Sequence, residues 1–285
     1  MTSRVSRRGL AAGTVVLPAA ALVARAHAQG TGQPAEESTF ARIQRTKVLR
    51  IAALPGELPY FQKDITSGAW SGACIEMATS IAKVFDAKLE YVEATYGTSV
   101  LDLQTQKVDL AFALNPTPQR ALSIGFTHPM IVHPFGCLAK QGFDPKTWDD
   151  LNKPDIRVAF DIGSVHEVVA KRFAPKAQLM GFATRDQCIL ALQSGRVDAD
   201  VLAALLGLSA VGKNPALGPY HLLTDPLVAL PTCLGIPQEP DTRFEVVLNA
   251  WLDFNRGIGQ LREWLIDGLE QMGVKREQIP SSLTF

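Results

Sequence analysis

The sequence predicts an α/β protein. Short β-type runs alternate with amphipathic helical stretches in two successive blocks, and strands separated by helical crossovers pair in parallel. The composition can supply the core: 47% of the 285 residues are hydrophobic and 20% charged. That ordinary globular balance excludes wholesale disorder and a low-complexity scaffold.

The elements follow in order. After a polar leader at 29–38, Val48-Leu49-Arg50-Ile51-Ala52 is a strand-type run. Ile75, Ala78, Ile81, Ala82 and Phe85 fall at helical spacing on one face. Residues 89–92 and 110–114 continue the strands, with a helix carrying Val100, Leu101 and Leu103 between them. The second block begins near Trp148, with a strand at 157–160, a helix at 164–173, a strand at 179–182 and a helix at 186–193. Residues 199–202 then return to the sheet. Two long amphipathic helices, 244–254 and 258–272, carry Trp251 and Trp264 on their apolar sides and are expected to pack back on the first block.

The charge balance, 28 basic against 28 acidic residues, hides a segregated N terminus. Residues 1–28 hold Arg4, Arg7, Arg8 and Arg25 and no acid, so removing them leaves a net charge of −4. Ser6-Arg7-Arg8 followed by a small-residue apolar stretch and Ala26-His27-Ala28 predicts a signal peptide, similar to the twin-arginine type, cleaved near Ala28. The apolar stretch is shorter than the ~20 residues that span a bilayer. The expected location is the periplasm. No basic patch marks a nucleic-acid binder.

Cys74, Cys137, Cys188 and Cys233 are widely scattered, without the spacing of a metal or haem site. No cofactor is expected. Twin-arginine cargo folds before export, in a reducing compartment, so buried free thiols are expected; Cys137 and Cys233 are the pair best placed for a disulfide.

Several weak motifs occur together and in order: Lys47-Val48-Leu49-Arg50-Ile51, Gly68-Ala69-Trp70-Ser71-Gly72, Lys107-Val108-Asp109, Asn115-Pro116-Thr117-Pro118-Gln119-Arg120, Phe126-Thr127-His128-Pro129, Trp148-Asp149-Asp150-Leu151, Gly163-Ser164 and Gly195-Arg196-Val197-Asp198-Ala199. Over residues 40–269 the chain thereby resembles the extracellular solute-binding proteins of family 3, the amino-acid-type substrate-binding components of ABC importers. The resemblance implies a type II clamshell of two α/β lobes joined by two hinge strands. Lobe one is expected at 39–131 plus 236–285 and lobe two at 132–235, with crossings near 131–136 and 230–235, where prolines 129, 134, 226, 231 and 237 bracket the chain. The implied partners are a small organic acid or amino-acid-like solute and the importer's membrane subunits, and the receptor is expected to act as a monomer.

Arg120 is the first candidate ligand residue, because its planar fork of donors matches a carboxylate. The resemblance adds Thr117, beside Asn115. Ser164 and Val165 open a helix directly after a strand, an arrangement that aims backbone N–H groups at an anion. Tyr96 and Tyr60 offer aromatic walls. Family members that bind amino acids hold the α-ammonium with acids at positions that here carry Leu54 and Ala203. Burying an ammonium without a carboxylate costs several kcal/mol. Two readings remain: a solute with a carboxylate and no α-ammonium, or a cation held by a relocated acid, Glu57, Asp161 or Asp200. A dehydratase-like periplasmic enzyme on this fold, with Glu57 or His166 as its acid or base, and a ligand-sensing adaptor for a membrane receptor are the alternatives to transport.

Overall fold

The computed structural model describes residues 37–280 and 282–284; residues 1–28, expected to be a signal peptide, lie outside them. The first block runs α1 (Thr39–Thr46), β1 (Val48–Ala53), a small hairpin of β2 (Gln62–Lys63) and β3 (Trp70–Ser71), α2 (Ala73–Val84), β4 (Lys88–Glu93), α3 (Tyr96–Gln104), β5 (Leu110–Leu114) and α4 (Pro118–Ala121). The long strand β6 (Gly125–Ala139) leads into the second: α5 (Trp148–Leu151), β7 (Arg157–Asp161), α6 (Val165–Phe173), β8 (Gln178–Phe182), α7 (Arg185–Gln193), β9 (Ala199–Ala203), α8 (Ala204–Lys213) and β10 (Tyr220–Leu222). β11 (Ala229–Ile236) returns, followed by α9 (Arg243–Gly257) and α10 (Gln260–Gln271).

The two blocks repeat one topology. β1 lies parallel between β4 and β5, and β7 lies parallel between β8 and β9. β6 and β11 join them: residues 125–134 of β6 pair antiparallel with β11, while residues 135–139 pair with β9. The lobes therefore share a strand, and the molecule is a two-lobed clamshell of the type II kind. Prolines 129, 134 and 231 interrupt the ladder in this stretch, where the β6–β11 register shifts beside Cys233, because proline has no N–H to donate.

A buried aspartate ties the edge of each block. Asp109 accepts from the Arg50 backbone N–H and from the guanidinium groups of Arg50 and Arg42. Asp198 does the same for the Arg157 backbone and side chain and for Lys140. These are the aspartates of the Lys-Val-Asp and Arg-Val-Asp motifs, and they fix where β5 and β9 enter their sheets.

α9 and α10 pack on the first block, as their apolar faces require. Trp251 and Trp264 stack at 5.8 Å, and the Trp251 indole donates to Ser80 on α2 at 3.1 Å. Two helices of eight or more residues escape the sequence reading. α1 has few apolar positions, and Ser38 caps it by accepting from the Ala41 N–H. α8 is buried and apolar on nearly all sides, so it shows no periodicity to read. All four cysteines are buried and free. The favoured disulfide pair is corrected by register: Cys233 lies opposite Pro129, eight residues along β6 from Cys137, a separation of ~26 Å at strand rise.

Candidate functional site

In open α/β sheets, ligands bind at the carboxyl ends of the strands. Here the carboxyl ends of β1, β5, β7 and β9 from both blocks face one cleft. At its base Tyr60, Tyr96, Asn115, Arg120, Ser164, Val165 and Ala203 converge on a cavity of about 10 Å³, near the space of one water. Next to it opens a cavity of about 430 Å³, lined by Leu54, Glu57, Tyr96, Asp161 and Arg185 among others. The positions without the family's acids, Leu54 and Ala203, thus both face the cleft.

Arg120 follows Thr117, whose hydroxyl caps the short α4 by accepting from the Arg120 N–H at 3.3 Å. Thr117 lines neither cavity, so the capping role is the one its hydroxyl shows. The Arg120 guanidinium donates to the carbonyls of Asn115 at 3.1 Å and Gly163 at 2.7 Å. It makes no ion pair with any described acid, and burial lowers its pKa. Asn115 is held by donating to the Pro231 carbonyl at 2.7 Å.

The expectation of free N–H groups at the start of α6 is corrected in part. Ser164 Oγ accepts from the N–H groups of His166 and Glu167, and the Gly163 N–H donates to Glu167 Oε2. The Ser164 hydroxyl donates to the Asp161 backbone carbonyl at 2.7 Å. Ser164 therefore organises the turn from within.

His133, His166 and Thr232 also line the small cavity. His133 Nε2 stands 2.9 Å from Thr232 Oγ1, and burial pushes its pKa down to about 3. Two buried polar atoms of the lining residues, Tyr60 Oη and His133 Nδ1, have no hydrogen-bond partner among the described residues. Leaving such atoms unmet costs ~1–3 kcal/mol each. No pattern in the sequence marks His133 or Thr232, because each is one residue on a crossing strand.

The sequence reading also missed Arg185, the first residue of α7 and only 5% exposed. Its guanidinium meets Asp161 through Nη2 and Asp200 through Nη1, the latter at 3.2 Å, and Nη2 stands 2.7 Å from His166 Nδ1. Of the three acids offered as relocated ammonium partners, Asp161 and Asp200 bind this one side chain, and Glu57 lines the same cavity. Burial pushes Glu57 up to about 8, against the opposing pull of Arg185, and Asp200 up to about 7. Burial also raises Asp161, but Arg185 and His166 outweigh it and hold that carboxyl well below the usual range. The Tyr96 hydroxyl donates to Glu57 Oε2 at 3.1 Å.

Among the described residues, no group of three His, Cys, Asp or Glu is placed to hold a metal, and no helix is long and apolar enough to cross a membrane.

The model of the bacterial extracellular solute-binding proteins, family 3, matches residues 49–277. The probable amino-acid-binding protein YxeM of Bacillus subtilis is 25% identical over 215 residues, covering 75% of this chain and 78% of that protein. The ancestral amino-acid-binding protein AncCDT-1, a precursor of cyclohexadienyl dehydratase, superposes with a TM-score of 0.72 at 27% identity over 84% of this chain and all of that one. A putative ABC-transporter binding component from Wolinella succinogenes, complexed with lysine, gives 0.71 at 25% identity over 81% of this chain and 98% of that one. Motif order, the doubled topology, the shared crossing strands and a family match across most of the chain agree: the protein belongs to the bacterial extracellular solute-binding proteins, family 3.

Proposed function

We propose that the protein is the periplasmic, monomeric solute receptor of an ABC importer, and that it captures a small carboxylate-bearing solute lacking an α-ammonium group. Residues 1–28 serve as its twin-arginine-type export signal, and lobes 39–131 plus 236–285 and 132–235 close over the solute. The observation that carries the reading is Arg120: a charged fork in the cleft, bound to two backbone carbonyls and to no described acid. Tyr60 and His133 supply further polar atoms, while Asn115, Ser164 and Val165 complete the wall. A ligand closes two lobes only through contacts that favour the closed state, and Arg120 reaches both. The relatives named above are described as binding amino acids; in this chain Leu54 and Ala203 stand where the family resemblance expects the acids that hold an α-ammonium.

A thermal-shift screen of organic acids against their α-amino counterparts tests it, since a ligand that binds only the native state raises its melting temperature. Organic acids are expected to shift the melt and amino acids not; the reverse result overturns the reading. One observation favours a second reading. Glu57, with its carboxyl pushed up to about 8 and facing the cleft, has the protonation state a general acid needs at neutral pH. Disappearance of a screened acid on incubation, abolished by Glu57→Gln, would establish catalysis in place of transport.

A further inference from the structure

We infer that Arg185 sets the charge selectivity of the cleft, as an internal counter-ion that occupies the acids a solute's ammonium would otherwise use. The inference rests on the cleft being the solute site and identifies what excludes cations from it.

The geometry is specific. Asp161 ends β7 and Asp200 lies within β9, and both bind one guanidinium, while Glu57, after β1, lines the same cavity as Asp161. Arg185 reaches the same point from α7 and is itself part of the wall of the 430 Å³ cavity. Its Nη1 and Nη2 are spent on Asp200 and Asp161, while its buried Nε has no partner among the described residues. A guanidinium placed for solubility or capping would not be drawn inside a lobe; Arg is almost never buried unless paired. The remaining acids at the cavity are less able to hold a cation. Glu93 pairs with Lys63, and Asp186 lies exposed at the rim beside Gly56, where water screens it. Burial of Glu57 and Asp200 favours their neutral forms, leaving the Asp161–Arg185 pair with balanced charge.

Removing the guanidinium should convert the cleft into a cation site. Arg185→Ala opens a guanidinium-sized space between acids that then lack a counter-ion. Calorimetry and thermal shift with guanidinium chloride and L-alanine, each at millimolar concentration and compared with sodium chloride of equal ionic strength, should show at least a 10-fold gain in affinity over the wild type. Arg185→Lys, which keeps the charge, should show no such gain. A folded Arg185→Ala variant that gains nothing overturns the inference. Should that variant fail to fold, Arg185→Ala with Asp200→Asn removes the guanidinium together with one of the two acids it binds and leaves Glu57 and Asp161 on the cleft; no gain there overturns it equally. The wild-type screen separates the two readings. If the wild type binds organic acids and neither variant gains a cation, only the role of Arg185 fails. If the wild type binds no organic acid while a variant gains cation affinity, the solute assignment fails and the selectivity device stands.

Discussion

The Arg120 guanidinium donates to the Gly163 carbonyl at 2.7 Å, so a residue after β5 is bound directly to the turn after β7. One side chain from the first block thus serves as a strut to the second and as the charged group of the cleft. Arg120→Ala removes both roles. Solute affinity is expected to fall by about 2–5 kcal/mol, the range for leaving a buried charge unpaired at an interface. Arg120→Lys should recover only part, because a point charge cannot span two acceptors as a planar fork does. Calorimetry of the three proteins against the best organic acid decides it; unchanged affinity in the alanine variant rules out the assigned role.

Gly163 also meets Gly97 of α3 across the cleft. A Cβ on Gly163 would lie 2.9 Å from the Gly97 Cα, and the Gly163 φ of +78° strains any side chain. A Cβ on Gly97 would stand 3.8 Å from the Gly163 Cα, an ordinary contact. Gly163→Ala should therefore hold the lobes apart, and Gly97→Ala should not. Small-angle scattering with saturating solute should give a larger radius of gyration for Gly163→Ala alone. Identical curves for both variants would show that this contact does not govern closure.

Asp198 accepts from the Arg157 backbone N–H at 2.8 Å, from two nitrogens of its guanidinium and from Lys140. Hydrogen bonds to a charged group contribute ~1.5–3 kcal/mol, and the partial exposure of Arg157 and Lys140 moderates the loss. Asp198→Ala is expected to destabilise by about 2 kcal/mol in urea unfolding, with solute stoichiometry intact. A loss below about 0.5 kcal/mol, the range of a surface substitution, would contradict the structural role.

Glu57 makes stability depend on pH. Its folded pKa of about 8 lies above the ordinary 4.5, so the folded state holds a proton that the unfolded chain gives up. Stability from this group is complete below about pH 4.5 and is lost as pH rises through 8. Asp200, near 7, acts in the same direction. The buried histidines 133 and 166, whose pKa values burial lowers, oppose this only below about pH 6.5. From pH 7 to 8.5 the wild-type melting temperature should fall, and that of Glu57→Gln should fall less steeply. Parallel slopes for the two proteins would overturn the assignment.

The thiols give a direct count. Burial raises the pKa of all four cysteines, that of Cys233 to about 11, which disfavours the reactive thiolate. A thiol reagent without reductant should label none in the native protein and four after denaturation. Fewer than four would reveal a disulfide.

Alternation of β-type runs with helical periodicity, the two Val-Asp motifs and the Arg120 segment were legible in the sequence because each rests on local spacing. They determined the fold class, the order of the strands and the first candidate for the charged group. Periodicity reports which face of a segment is apolar, and it stops there. Arg185 begins a helix in the manner of any solvated arginine, and Asp161 and Asp200 look like acids free to hold a ligand. Only the tertiary structure, by bringing Asp161 at the end of β7 and Asp200 within β9 onto the first turn of α7, decides that they already hold a cation of the protein's own. Convergence of charges from separate elements is set by packing, and burial makes it consequential: away from water an acid needs a counter-ion or a proton, and here Arg185 is the counter-ion.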